Sequence, residues 1–205
     1  MALSGFRLYG VELLGEEDPV PPVPRVSVLT FRELGAVVRR AQYRTVETDD
    51  TALEEYRHVV DAVFQRGTVL PAPFGTVFRS GDQVLHWLEM NHIALAEGLH
   101  FVEGRCEGRL HVRRKEFSPD DAAADATAIT ADCFRTLRRD VAAALPLPLG
   151  SEVGVDLSAA FLVPRAGWTE FTERVAEQAR RSDGLDFELT GPWPPYDFVR
   201  IDFGA

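Results

Sequence analysis

Short apolar runs open the chain. Residues 6–11, 26–29 and 36–38 are rich in β-branched or bulky apolar side chains, which fit a pleated, half-buried surface, and each run predicts a strand. Residues 16–24, with four prolines and three acids, separate the first run from the second as a surface loop, and Gly35 breaks the second from the third. From Asp50 the period lengthens. Leu53, Tyr56, Val59 or Val60, and Val63 recur at three-to-four spacing, with Glu54, Glu55, Arg57 and Asp61 largely on the other face, so a helix is predicted that ends at Gly67. Asp49 or Asp50 can accept from its first amides, and Gly67 stands where a left-handed C-terminal residue is usual.

Residues 67–79 carry Gly-Thr-Val twice, eight residues apart, and two prolines that forbid a helix interior, so the segment is extended or turned. A second helix is predicted over 82–99 on the stripe Leu85, Leu88, His92, Leu95 and Leu99. Gly104 and Gly108 mark a domain boundary, which gives an N-terminal α+β domain, 1–104, and a C-terminal domain, 105–205. The second half alternates: strand 109–114, helix 120–145, strand 153–163, helix 167–181, strand 185–189. Ser118 and Pro119 open the first of these helices, Ile129, Cys133, Leu137 and Val141 form its stripe, and Trp168, Phe171, Val175 and Ala179 form that of the second. With 153–163 bent into a hairpin, the order becomes the βαββαβ of a modified ferredoxin-like domain. The expected class is therefore α+β in two domains.

Composition narrows the functional classes. At 205 residues, 45% apolar and 26% charged, the chain can bury a core without disulfides or metal. Lys plus Arg number 22 against 32 Asp plus Glu, a net charge of −10, which opposes binding to nucleic acid. Cys106 and Cys133 form no Cys-x-x-Cys pair, residues 1–9 lack a basic leader and long apolar run, and the uncharged run 141–151 is too short for a bilayer and holds Pro146 and Pro148. A cytoplasmic protein with no membrane association is expected.

Candidate chemistry is sparse. His86, Glu89 and His92 suggest a metal site, but the two histidines lie some 120° apart around a helix, whereas a zinc-binding helix places them at i and i+4. His92 within the apolar stripe and His86 toward solvent is the preferred reading. His58 beside Glu54, Glu55 and Asp61 has the carboxylates that tune a base, yet no Gly-x-Ser-x-Gly elbow or Cys-His arrangement supplies a nucleophile. Nucleotide-cradling glycine motifs are absent, and Arg113, Arg114 and Lys115 read as a solvated strand end. The chain is expected to be no enzyme, with no catalytic, metal or cofactor residues.

Proline beside large aromatics stands out: Pro71, Pro73, Phe74 and Phe78 in one segment, and Pro192, Trp193, Pro194, Pro195 and Tyr196 in another. Such stiff segments suit packing between domains or a preformed docking surface, and packing is favoured. Gly191-Pro192 is expected to force the chain out of the sheet after Leu189, since proline cannot donate to a ladder. The tail, with Trp193, Tyr196, Phe198 and Ile201, is then expected to pack back on the N-terminal domain with Trp193 as its buried anchor.

Residues 66–78 (Arg-Gly-Thr-Val-Leu-Pro-Ala-Pro-Phe-Gly-Thr-Val-Phe) and 189–199 (Leu-Thr-Gly-Pro-Trp-Pro-Pro-Tyr-Asp-Phe-Val) resemble motifs of the GvpL/GvpF family of gas-vesicle proteins. Residues 8–11, the helix with His58 and residues 160–165 are similar to that family too, so the resemblance covers nearly the whole chain. Ala72-Pro73 departs from it, where family members more often have a bulkier residue followed by a polar one. The resemblance implies a two-domain α+β fold with a modified ferredoxin-like C-terminal half. It also implies a minor, non-enzymatic component required for gas vesicle assembly, which binds the main wall protein and other accessory proteins in the cytoplasm at the vesicle. Pro71, Phe74, Phe78, Trp193, Pro194, Pro195 and Tyr196 are the candidate partner-contact or interdomain residues. The competing expectation is a soluble interaction protein with a stress or sensory role in an organism without vesicles.

Overall fold

The computed structural model describes residues 4–15, 21, 23–43, 46, 48–115, 121–149 and 154–199. Most of the loop expected at 16–24, the Ser118-Pro119 helix opening and Ile201 lie outside these residues. The described residues form two compact units, one that runs to Gly104 and resumes from Pro194, and one over Arg105–Trp193.

In the first unit, β1 (Ser4–Leu13) is the central strand. It pairs antiparallel with β3 (Leu34–Gln42) on one side and with β4 (Val69–Pro71) and β5 (Val77–Phe78) on the other, while β2 (Ser27–Phe31) forms the edge beyond β3. Leu8, Tyr9, Val11, Ala36, Val37 and Val38 are fully buried, as befits strands covered on both faces. The repeated Gly-Thr-Val has a structural meaning: each valine starts a strand on β1, Val69 opposite Glu12 and Val77 opposite Arg7. Between them Thr76 N–H donates to Pro73 O at 3.2 Å, and Gly75, at φ +86°, takes the turn position that other residues rarely adopt.

Helix α1 (Asp50–Arg66) is capped by Asp49, whose carboxylate accepts from Ala52 N–H at 2.8 Å, and it buries Tyr56, Val59, Val60, Val63 and Phe64. Gly67 closes it in extended backbone (φ −174°), not the left-handed conformation expected, because the chain passes directly into β4. The single helix expected over 82–99 is two helices, α2 (Gly81–Met90) and α3 (His92–Val102). Asn91 leaves the helical well, and its side-chain amide donates to Trp87 O at 2.8 Å beside its own backbone N–H at 3.1 Å, so a local Asn-to-backbone bond accompanies the end of α2. The buried residues Val84, Leu88, Leu95 and Leu99 stay in phase across the break, which is why periodicity reads one helix.

The second unit runs β6 (Arg105–Arg114), α4 (Asp121–Leu137), a 3-10 turn, β7 (Ala143–Pro146), β8 (Val155–Pro164), α5 (Trp168–Arg181) and β9 (Leu185–Trp193). Its antiparallel sheet has the order β7-β8-β6-β9. Two sequence expectations are corrected. The helix stops at Leu137, and the run at 143–146 is a strand on β8, where small alanines fit against Phe161 and Leu162; β8 is accordingly one strand and no hairpin. The stripe of α4 is Thr130, Cys133 and Leu137, with Ile129 39% exposed. Phe161 and Phe171, both fully buried, meet with ring centroids 5.3 Å apart at the heart of this unit.

Candidate functional site

A polar cluster of the first unit begins with an irregularity in β1. Leu8 lies opposite Val38 and Gly10 opposite Val37, so Tyr9 is the extra residue of a bulge, a device that re-aims a side chain. The ladder also sets Arg7 directly opposite Arg39, a like-charge pair that is unfavourable by itself. One carboxylate resolves it. Glu55 of α1 forms an ion pair with Arg39 and accepts from the Tyr9 hydroxyl at 2.7 Å. Arg7, only 7% exposed, donates to Ala52 O at 3.3 Å, and its guanidinium lies 5.3 Å from the Tyr9 ring centroid and 4.9 Å from that of Phe74.

Electrostatics follow from these contacts. Burial first, and then the hydrogen bond to Glu55, push the Tyr9 phenol up to about 12. Burial works against ionisation of Glu55, but the hydrogen bond from Tyr9 and the charges of Arg39 and Arg7 outweigh it and hold its carboxyl below the ordinary glutamate value. Neither group is poised to exchange a proton near neutral pH. The cluster is built to fix α1 against β1.

Tyr56 extends it. Its hydroxyl donates to Ala72 O, its ring stacks on Tyr9 at 6.2 Å, and Phe74 meets it edge-on at 5.7 Å. Burial first, and then Tyr196, raise its pKa. Tyr196 lies with its ring centroid 6.5 Å from that of Tyr56, so Phe74 and Tyr196 from the two aromatic motifs converge on one side chain. Pro71 sits in β4 opposite Gly10, Phe78 is buried against Trp87 at 5.6 Å, and Pro194 and Pro195 are buried.

Trp193 differs from expectation: it is 40% exposed, with its indole N–H on Thr190 Oγ1 at 3.1 Å, and is no buried anchor. Nor does the strand end at Leu189. β9 continues to Trp193 because it is an edge strand and its register on β6 shifts between Thr190 and Trp193, where a residue without N–H is tolerated. Gly191 makes that passage feasible: at φ +132°, a Cβ there would lie 2.8 Å from both Glu107 O and the Trp168 ring.

The other candidates do not converge. His58 is exposed and Glu55 turns away from it to Tyr9, while burial raises Asp61 and His58 holds it down. His86 Nδ1 lies 3.7 Å from Glu89 on the exposed side of α2, whereas His92 Nε2 pairs with Glu33 at 2.9 Å. Among the described residues no three metal-ligating side chains gather. Burial pushes the Cys106 and Cys133 thiols up to about 11. Arg7, Tyr9 and Arg39 escaped the sequence reading, and Glu55 entered it only as a neighbour of His58, because only strand register brings two arginines opposite each other beneath one helical carboxylate.

Comparison with known proteins gives one consistent result. The family model for gas vesicle synthesis protein GvpL/GvpF matches residues 21–148 and 119–200. Gas vesicle protein F2 of Halobacterium salinarum is 29% identical, with 100% of this chain and 96% of that protein covered. Gas vesicle protein L of Haloferax mediterranei is 25% identical, over 85% of this chain and 70% of that protein. The crystal structure of GvpF from Anabaena sp. PCC7120 superposes with a TM-score of 0.85 over 98% of each chain at 16% identity. That of GvpF from Microcystis aeruginosa gives 0.79 over 96% of this chain and 99% of that one at 15% identity, and at such identities the likeness speaks for the fold alone. With matched segments that together run from residue 21 to residue 200, the chain belongs to the gas vesicle synthesis protein GvpL/GvpF family.

Proposed function

We propose that this protein is a minor, non-catalytic accessory component of gas vesicle assembly, which binds the apolar main wall protein and other accessory gas vesicle proteins in the cytoplasm. The observation that carries this reading is the family match along nearly the whole chain, with relatives named as gas vesicle proteins F and L. The polar cluster around Glu55 is consistent with it, since its groups are tied to one another. Among the described residues no helix is long and apolar enough to cross a membrane. The strand order β7-β8-β6-β9 supports treating Arg105–Trp193 as a ferredoxin-like domain and the remainder as a second domain.

The test is genetic and biochemical. Deleting the gene from a complete vesicle gene set should reduce vesicle number, and tagged full-length protein expressed with that set should recover wall or accessory proteins. Unchanged vesicle number together with no recovered vesicle protein would overturn the reading.

A further inference from the structure

Helix α3 is apolar on two opposite sides. Leu95, Leu99 and Val102 face the core, as one stripe should. On the far side Ile93, Glu97 and Phe101 succeed one another at i, i+4 and i+8, with Ile93 73% and Phe101 41% exposed; Met90, at the end of α2 and 71% exposed, continues the row. A surface helix ordinarily carries polar residues there. The row leads into a cavity of about 480 Å³ between the β2–β3 turn and the α2–α3 break, lined by Phe31, Met90 and Ile93 with Glu89 and Glu97 at its rim. Glu97 has no partner among the described residues, Glu89 has only His86 at 3.7 Å, and Arg32 is the cavity lining's one Lys or Arg, set against the Phe31 ring at 5.4 Å.

We infer that the outer face of α3, with this cavity at its end, docks an amphipathic helix of a partner protein that has an apolar stripe and a Lys or Arg to meet Glu97. The shape argues for a helix. Residues 93–101 run about 12 Å along one helix side, the kind of ridge that a second helix packs along at 8–10 Å, and the cavity between Phe31 and Ile93 takes one anchoring side chain. Charge sets the chemistry of the occupant: an acid without a cation, set between apolar neighbours, is complementary to a basic group flanked by apolar ones. The inference rests on the proposed binding of an apolar vesicle protein and assigns that binding to a place.

The experiment uses the full chain, tagged and co-expressed with the vesicle wall protein as probe. Met90→Asp and Ile93→Asp each change a side chain more than 70% exposed and should leave circular dichroism and melting temperature unchanged, yet lower wall-protein recovery at least tenfold. Glu97→Lys should lower recovery as well, more at 50 mM than at 500 mM salt, because an exposed charge pair is screened. A photocrosslinker on Glu97→Cys should map to an apolar segment with Lys or Arg at helical spacing. If wild-type protein recovers the wall protein and all three charged variants do so equally, this face is wrong while the proposed function stands. If wild-type protein recovers none, this inference falls, and the proposed function falls with it only if no accessory protein is recovered and deletion leaves vesicle number unchanged. Self-association of the wild-type chain at micromolar concentration, abolished by Ile93→Asp, would assign the face to a second copy and overturn the inference.

Discussion

Glu55 shows how one carboxylate can decide a local structure. It pairs with one of the two arginines that the ladder sets opposite each other, which eases their repulsion, and it accepts the hydrogen bond of a buried phenol. Glu55→Gln should therefore cost about 1–3 kcal/mol at neutral pH, measured by urea unfolding. The pH dependence has a definite sign: a carboxyl held below its ordinary value contributes stability above that value and loses it as pH falls through the folded-state pKa. The variant's stability should accordingly fall less steeply in acid than that of wild type. Tyr9 works at the other end of the scale. A phenol pushed up to about 12 leaves stability unaffected below its ordinary value of 10, and that stability declines as pH rises from there toward 12. Trp193→Ala should change stability by no more than about 1 kcal/mol, well short of the 3–5 kcal/mol typical of a buried aromatic, since the ring is 40% exposed; a thermal melt tests this.

At the scale of elements, sheet edges carry the constraints. Leu147 N–H donates to Ser158 O at 2.7 Å, so by strand alternation Ala143 and Leu145 also face β8, while Ala144 and Pro146 turn their nitrogens outward. Pro146 thereby removes a donor from a strand that is an edge of the sheet among the described residues and whose side chains are uncharged, a guard against pairing with another chain. Pro146→Val restores that donor and should produce concentration-dependent self-association, visible as a mass increase in light scattering where wild type shows none. On the opposite edge Gly191→Ala should destabilise by about 2 kcal/mol or more, because the new Cβ meets both a strained backbone and the Trp168 ring. A melting temperature within a degree of wild type would refute that account. Strands β1 and β3 were legible from β-branched runs and α1 from its period. The α2–α3 break was not, since Val84, Leu88, Leu95 and Leu99 keep one phase through Asn91. Nor was β7, whose alanines favour a helix until β8 offers them a partner.

Across the whole molecule, the sequence conveyed family membership through two motifs while withholding what those motifs touch. Residues 66–78 hang two short strands and a Gly75 turn on β1, and Tyr196 of the later motif meets the same Tyr56 that Phe74 meets. That convergence depends on residues far apart in the chain, which no local pattern encodes. The net charge of −10 was equally visible and disfavours polyanionic partners, but Glu97, the acid to which docking is assigned above, is distinguished only by the exposed apolar row in which it stands.

The return of the chain from Pro194 to the unit that began at β1 has a consequence for biosynthesis. Emerging from a ribosome, the first unit must wait while all of Arg105–Trp193 is translated, on the order of ten seconds at ordinary elongation rates, before Tyr196 can reach Tyr56. During that interval the nascent chain presents an unfinished aromatic surface to whatever chaperones are at hand. A truncation after Trp193 makes the interval permanent, and should yield a protein that binds a hydrophobic dye more strongly and melts earlier than the full chain.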